Sequence, residues 1–126
     1  MRTIVVVLFV AAKLAALGLL PILVLGYLFF LSSQSVLTHL YVIATLLGLL
    51  LTIASAPRTF PSLRVVHGAT ALAVLPLGCW KVYEHLSFYE GPEYGAAGMT
   101  GLAVAAIVVG FVASRHLFLI GGNANV

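Results

Sequence analysis

Four histidines are the residues of this chain whose type and spacing could do chemistry. His39, His67, His85 and His116 each lie near an end of a long apolar segment. His67 and His85 bracket one segment and are 18 residues apart, a whole number of turns at about 100° per residue, so both project from one helix face. Imidazole is a common axial ligand of haem iron. The spacing therefore predicts a helix that presents one haem ligand near each of its ends.

The composition predicts that the elements positioning these histidines lie in a membrane. Hydrophobic residues make up 63% of the 126 residues and charged residues 7%, and the mean hydropathy is +1.20, which excludes a soluble domain of this size. The net charge is only +3 and the basic residues are scattered, so we expect no nucleic-acid partner. A single cysteine, Cys79, excludes an internal disulfide, and its place in an apolar run predicts a core position.

Four stretches are long enough to cross a bilayer, which takes about 20 mostly apolar residues. We predict helices at about 3–31, 36–56, 63–86 and 94–120. Pro57 and Pro61 bound the second connection, and Gly91 and Pro92 lie in the third. Short connections force consecutive helices to be antiparallel neighbours. The prediction is an all-α fold in which residues 1–126 form a single transmembrane domain, a four-helix up-down-up-down bundle.

Charge distribution predicts the orientation of this bundle. The side that holds both termini carries Arg2, Arg58, Arg64 and Arg115, whereas the opposite side carries Lys81. Because basic residues favour the cytoplasmic side, both termini should be cytoplasmic. We therefore expect an integral membrane protein of a bacterial or organellar inner (plasma) membrane. The three acids, Glu84, Glu90 and Glu93, fall on the outer side, where Lys81 and Glu84 are spaced to form an ion pair.

Once each helix end is assigned to a side of the membrane, the histidines divide into two pairs. His39 and His85 share the outer side, and His67 and His116 share the cytoplasmic side. Each pair comes from two adjacent antiparallel helices, the arrangement that bis-histidine ligation of a haem requires. Two haems, one haem or other pigment, and no cofactor are all compatible with this pattern, because histidine at a membrane interface also bonds headgroups and water.

Two further features of the sequence are compatible with a bound cofactor. Ala71 and Gly78 share a face with His67 and His85, and their small side chains predict a furrow in which a macrocycle could approach the backbone. Lys13 is the one charge well inside an apolar run. Its ammonium would pair with a haem propionate, a quinone oxygen or a partner's carboxylate, or would reach the headgroups from a protruding first helix.

At this level the chain resembles the membrane-anchor b-type cytochromes of respiratory complexes, including the gamma-type subunits of nitrate reductases. In that family one helix supplies two haem ligands at 18-residue separation. The resemblance covers one helix and implies haem ligation by His67 and His85 only, whereas His39 and His116 are assigned from side and depth. The chain departs from the family in having four predicted helices rather than five and no second helix with two histidines.

These features predict a small membrane subunit of a respiratory or photosynthetic redox complex. It would be a b-type cytochrome with one or two haems b that passes electrons across the membrane or to a quinone, with the lipid bilayer and other membrane subunits as partners. No catalytic nucleophile, base and acid set is visible, so catalysis would belong to those subunits. The alternatives are a cofactor-free accessory subunit and a small oligomeric transporter, a class that usually carries the mid-membrane acid that this chain lacks.

Overall fold

The computed structural model describes residues 2–29, 36–55, 61–87 and 94–124. Within these ranges all residues except Ser55 and Ser87 belong to four α-helices, which are α1 (Arg2–Phe29), α2 (Val36–Ala54), α3 (Pro61–Leu86) and α4 (Tyr94–Ala124). The predicted all-α class and the four helices are confirmed. The predicted ends at 31 and 56 lie outside the described residues.

Two helix limits differ by a few residues from the approximate predictions. Helix α3 begins at Pro61 rather than near 63, because proline is well suited to the first helical position, where its missing N–H would have had no partner. Helix α4 continues to Ala124 rather than ending near 120. The glycines at 121 and 122 weaken a helix but do not break it as proline would.

The four helices pack in an antiparallel up-down-up-down order. Helix α1 packs against α2 and α4, α3 also packs against α2 and α4, and α2 meets α4 across the middle. The helix directions follow from pairs of residues on neighbouring helices that lie at the same height in the bundle. These pairs are Lys13 with Ile53, Gly26 with Thr38, Thr52 with His67, Lys81 with Thr38, Gly68 with Phe111 and Gly78 with Val104. The bundle therefore has two ends. The Lys81 end holds the starts of α2 and α4, and the Arg64 end holds the start of α3.

Side chains from all four helices meet at mid-height. The largest of these that are fully buried are Leu49, Val74 and Ile107, which we call the apolar plug. Ala16 and Leu19 of α1 pack against it. Close van der Waals contacts between these side chains help to hold the core together.

Small residues bring α2, α3 and α4 close to one another. A Cβ atom added at Gly48 would lie 2.6 Å from Ile107 Cδ1, and one at Gly110 would lie 2.7 Å from Thr52 Cγ2. Only glycine permits this approach without a shift of the neighbour. On the opposite face of α4, Gly101 has nothing within 4 Å of the same position and is exposed.

The outside of the bundle is apolar. All four helices are long and apolar enough to cross a membrane, and large side chains such as Ile4, Leu14 and Leu72 are more than half exposed. Cys79 is also exposed, so its predicted core position is wrong. A uniformly apolar run does not reveal which face is buried, and Cys79 lies about 100° from the buried Gly78.

Candidate functional site

A cavity of about 300 Å³ opens inside the bundle at the Lys81 end, and all four helices line it. It extends from the start of α2 to Leu49 of the apolar plug, and Leu19 and Ala103 form part of its apolar wall. Its polar lining consists of Thr38, Tyr41, Lys81, His85 and Thr100. An apolar cavity of a few hundred Å³ with a few converging polar groups is typical of small-molecule sites.

Lys81 supplies the charge of this cavity. Its side chain is only 11% exposed, and its ammonium donates to Glu84 Oε1 at 2.8 Å and to Thr38 Oγ1 at 3.1 Å. The predicted ion pair with Glu84 is thus present, and it neutralises a cation that burial would otherwise penalise. An ammonium has three N–H donors, so these two bonds leave one donor for a ligand. The Trp80 ring centroid lies 5.4 Å from the same nitrogen.

Two hydroxyl groups form the other polar wall. Tyr41 is 4% exposed, and its hydroxyl lies beside the hydroxyls of Thr100 and Thr45. Thr100 donates its own proton to the carbonyl of Ala96 at 2.9 Å, so its oxygen is an acceptor for Tyr41. The buried Thr45 hydroxyl, by contrast, makes no hydrogen bond of good geometry with the described residues.

The sequence interpretation missed Tyr41 as a site residue, because tyrosines at a membrane interface usually serve as anchors. The signal that could have found it is its spacing. Thr38, Tyr41, Thr45, Gly48 and Thr52 recur every three or four residues, which places them on one helix face. Polar residues on a common face of an apolar helix favour the bundle interior over lipid.

At the Arg64 end, His67 is 3% exposed and is held by two neighbouring helices. Its Nε2 lies 3.2 Å from Thr52 Oγ1, and its ring meets the Phe111 ring edge-to-face at 5.4 Å between centroids. Thr52 donates its single proton to the Gly48 carbonyl at 2.8 Å. The Thr52 oxygen can then accept from Nε2, and the backbone of Ile107 on α4 is a second hydrogen-bond partner of the imidazole.

His116 projects from a side of α4 that does not face His67 on α3. It lines a hollow of about 350 Å³ between α1 and α4, together with Val5 and Leu8. Phe111, which contacts His67, is five positions from His116 and hence about 140° away around the helix. The structure therefore does not bring the predicted cytoplasmic pair together.

The predicted outer pair is divided in a similar way. His85 lines the cavity at the Lys81 end, whereas His39 is half-buried and is not one of the lining residues. Thr38 faces the cavity, and the next residue on a helix projects about 100° away from it. Only one histidine of this pair thus reaches the cavity.

The predicted furrow on α3 is filled by protein. Ala71 belongs to the mid-height core, and the Val104 side chain occupies the space where a Cβ of Gly78 would lie. With the furrow filled and both pairs divided, the described residues do not fit a bis-histidine haem in this packing. They also contain no group of three or more histidine, cysteine or acidic residues that could hold a metal ion.

No protein-family model, curated protein or solved structure matches the chain. The cavity and its lining residues are therefore the observations that bear on function.

Lys13 has a structural partner inside the bundle. Its ammonium donates to the carbonyl of Ile53 at 2.6 Å and lies 5.0 Å from the centroid of the Phe9 ring. In a helix that carbonyl would accept from the N–H four residues later, but residue 57 is proline and has none. Lys13 supplies the missing donor, and a cation at this position also complements the negative end of the α2 dipole.

Proposed function

We propose that the protein is a small integral membrane subunit of a redox system and that it binds a quinone ring in the cavity at its Lys81 end. The cavity itself carries the proposal, because it joins apolar walls to hydrogen-bond donors within a bundle whose exterior is apolar. The proposed orientation places both termini in the cytoplasm, as the basic residues favour. The Lys81 end then lies on the opposite side of the membrane.

A quinone matches the lining of the cavity. Its ring is flat and apolar and needs close contacts, which Leu19, Leu49 and Ala103 can provide. Its carbonyl oxygens are acceptors and need donors, for which Lys81 has a remaining N–H and Tyr41 has a hydroxyl whose proton would turn from Thr100 to the ring. A neutral acceptor suits this site, since Glu84 already balances the Lys81 charge.

The role of the chain would be to hold the ring and present it to a partner. Reduction of a quinone to a quinol takes up two electrons and two protons, and the electrons must come from another subunit or a soluble donor. The buried donors would bond a carbonyl oxygen more strongly as it gains negative charge. The redox reaction itself belongs to the partner.

Trp80 provides a direct test. It is the only tryptophan of the chain, and it lies beside the Lys81 ammonium that lines the cavity. In proteoliposomes, titration with a short-tailed quinone should quench its fluorescence to a saturating level. Ala96→Leu and Ala103→Leu place bulk in the cavity wall and should abolish saturation, whereas Ala105→Leu, on the exposed face of α4, should leave it unchanged.

Equal quenching in all of these variants would show collisions with quinone dissolved in the bilayer, and it would refute the site. A melting curve for each variant checks that the bundle is intact.

The haem-carrying b-type cytochrome stays a prediction. Two of its histidines would have to share a pocket. For His67 and His116 this requires a different packing of α4, which now contacts Gly78 and His67. A reduced-minus-oxidised spectrum of protein purified with its native partners tests it, and absence of a b-type band would exclude it. The exposed small residues Gly98, Gly101 and Ala105 on α4 favour contact with another membrane subunit in either case.

A further inference from the structure

A second and much smaller pocket lies at the Arg64 end. Its volume is about 40 Å³, and its polar lining consists of Arg64, His67, Ser55 and Ser114. His67, Ser55 and Ser114 are all more than nine-tenths buried. Four polar side chains, two from α3, one from α4 and one from the residue after α2, therefore converge on a small space.

Basic residues lie around this pocket, whereas the acidic residues of the sequence belong to other parts of the chain. Every aspartate or glutamate of the sequence, namely Glu84, Glu90 and Glu93, belongs to the other end of the bundle or to the connection beyond it. The Arg64 end holds Lys13 as well as Arg64, and the ammonium of Lys13 lies close enough to act on His67 electrostatically. Positive charge that is withdrawn from water favours an anion nearby.

The start of α3 adds to this potential. Helix α3 begins at Pro61, and neither an aspartate nor a glutamate lies in its first turn. Arg64 and Leu63, which line the pocket, belong to that turn. The first N–H groups of a helix have no intrahelical partner, and the positive end of its dipole attracts anions. The helix end and the arginine therefore act in the same direction.

We infer that this pocket binds a single small anionic group. Its volume admits a halide ion or one oxygen of a phosphate and is too small to enclose a larger organic anion. The guanidinium of Arg64 would supply charge-assisted hydrogen bonds. Ser55 and Ser114 now donate to the carbonyls of Thr52 and Phe111 at 2.7 Å and 3.0 Å, and rotation about one bond redirects each proton into the pocket.

The same chemistry has two sources, a free halide and the phosphate of a lipid headgroup, and one experiment distinguishes them. The full chain in a neutral detergent is melted in sodium chloride, sodium bromide and sodium gluconate at equal ionic strength. It is then melted in gluconate with phosphatidylglycerol or phosphatidylcholine added. A halide site predicts a saturable rise in melting temperature with chloride and bromide that gluconate does not produce. A lipid-phosphate site predicts the rise with phosphatidylglycerol alone.

Matched variants locate the effect. Arg64→Gln should raise the half-saturating concentration of the active anion at least tenfold, whereas Arg115→Gln removes the same charge from an exposed position at the same end and should leave it unchanged. Ser114→Ala keeps Arg64 and should raise the half-saturating concentration about threefold. The inference therefore remains testable if Arg64→Gln does not fold.

Three results would overturn the inference. These are equal melting temperatures in chloride, gluconate and both lipids, the same loss in Arg115→Gln as in Arg64→Gln, and an unchanged half-saturating concentration in Ser114→Ala. The outcome is independent of the quinone proposal, because Ala103→Leu fills the other cavity and should not alter the response to anions.

Discussion

Thr52 Oγ1 lies 3.2 Å from Nε2 of the buried His67 while it donates its proton to the Gly48 carbonyl at 2.8 Å. The first of these bonds connects α2 to α3 and engages one nitrogen of the imidazole, and the second lies within α2. A buried histidine that is hydrogen-bonded to a neighbouring helix in this way has a structural role in this packing.

Thr52→Val should therefore destabilise the bundle by about 1–3 kcal/mol, because it removes the acceptor of a buried N–H donor. Valine keeps the methyl group that packs against Gly110, so the shape is nearly unchanged. Thr45→Val is the matched control on the same helix face. The Thr45 hydroxyl has no hydrogen bond of good geometry among the described residues, so its loss should be neutral or stabilising. Unfolding in mixed micelles measures both, and equal losses would contradict the assignment.

Gly78→Ala should destabilise the bundle by about 1–3 kcal/mol, because the new methyl group would overlap the Val104 side chain and force α3 and α4 apart. Gly101→Ala, at an exposed position of α4, should instead stabilise the helix by up to about 1 kcal/mol. Thermal melts of the two variants in the same detergent compare them. If Gly78→Ala were tolerated as well as Gly101→Ala, the furrow on α3 would be open, as a cofactor there requires.

The fold was predictable from the sequence because its determinants are local. Four apolar runs of sufficient length separated by short connections allow few arrangements other than an antiparallel bundle. The histidine pairs depended instead on which face of each helix is buried, and apolar composition all round a helix does not show this. His67 and His116 share an end as predicted, but the rotation of α4 places them on different sides.

Lys13 illustrates the same limit. Its sequence position indicates that an ammonium in an apolar run needs a partner, and a cofactor, another subunit or the headgroups could each provide one. The partner in the structure is the Ile53 carbonyl, whose need for a donor arises from Pro57. The sequence contains both residues, but pairing them requires knowledge that α1 packs beside the end of α2.

Lys13→Met should leave the Ile53 carbonyl without that donor and lower the unfolding free energy by about 1–3 kcal/mol. Methionine retains a long flexible side chain for packing against Phe9. Lys13→Arg keeps a cationic donor, so it should lower the unfolding free energy by less than half as much as Lys13→Met does. Amide hydrogen exchange at the end of α2 provides a local readout, since loss of the cap should speed exchange there and leave α4 unaffected. Uniform acceleration across all four helices would argue against a capping role.

Lys81→Met removes the one cation of the quinone cavity and should weaken saturable quenching of Trp80 by about fivefold to tenfold, the loss expected for one buried hydrogen bond to a carbonyl oxygen. Tyr41→Phe removes the neighbouring hydroxyl while keeping the ring, and it should produce a similar loss. Glu84→Gln keeps a side-chain oxygen that accepts from Lys81 and leaves the third N–H of the ammonium available, so affinity should be retained. Because Lys81→Met also alters the surroundings of Trp80, competition with a non-quenching quinone analogue measures each affinity. Retention of wild-type affinity by both Lys81→Met and Tyr41→Phe would place the ring elsewhere.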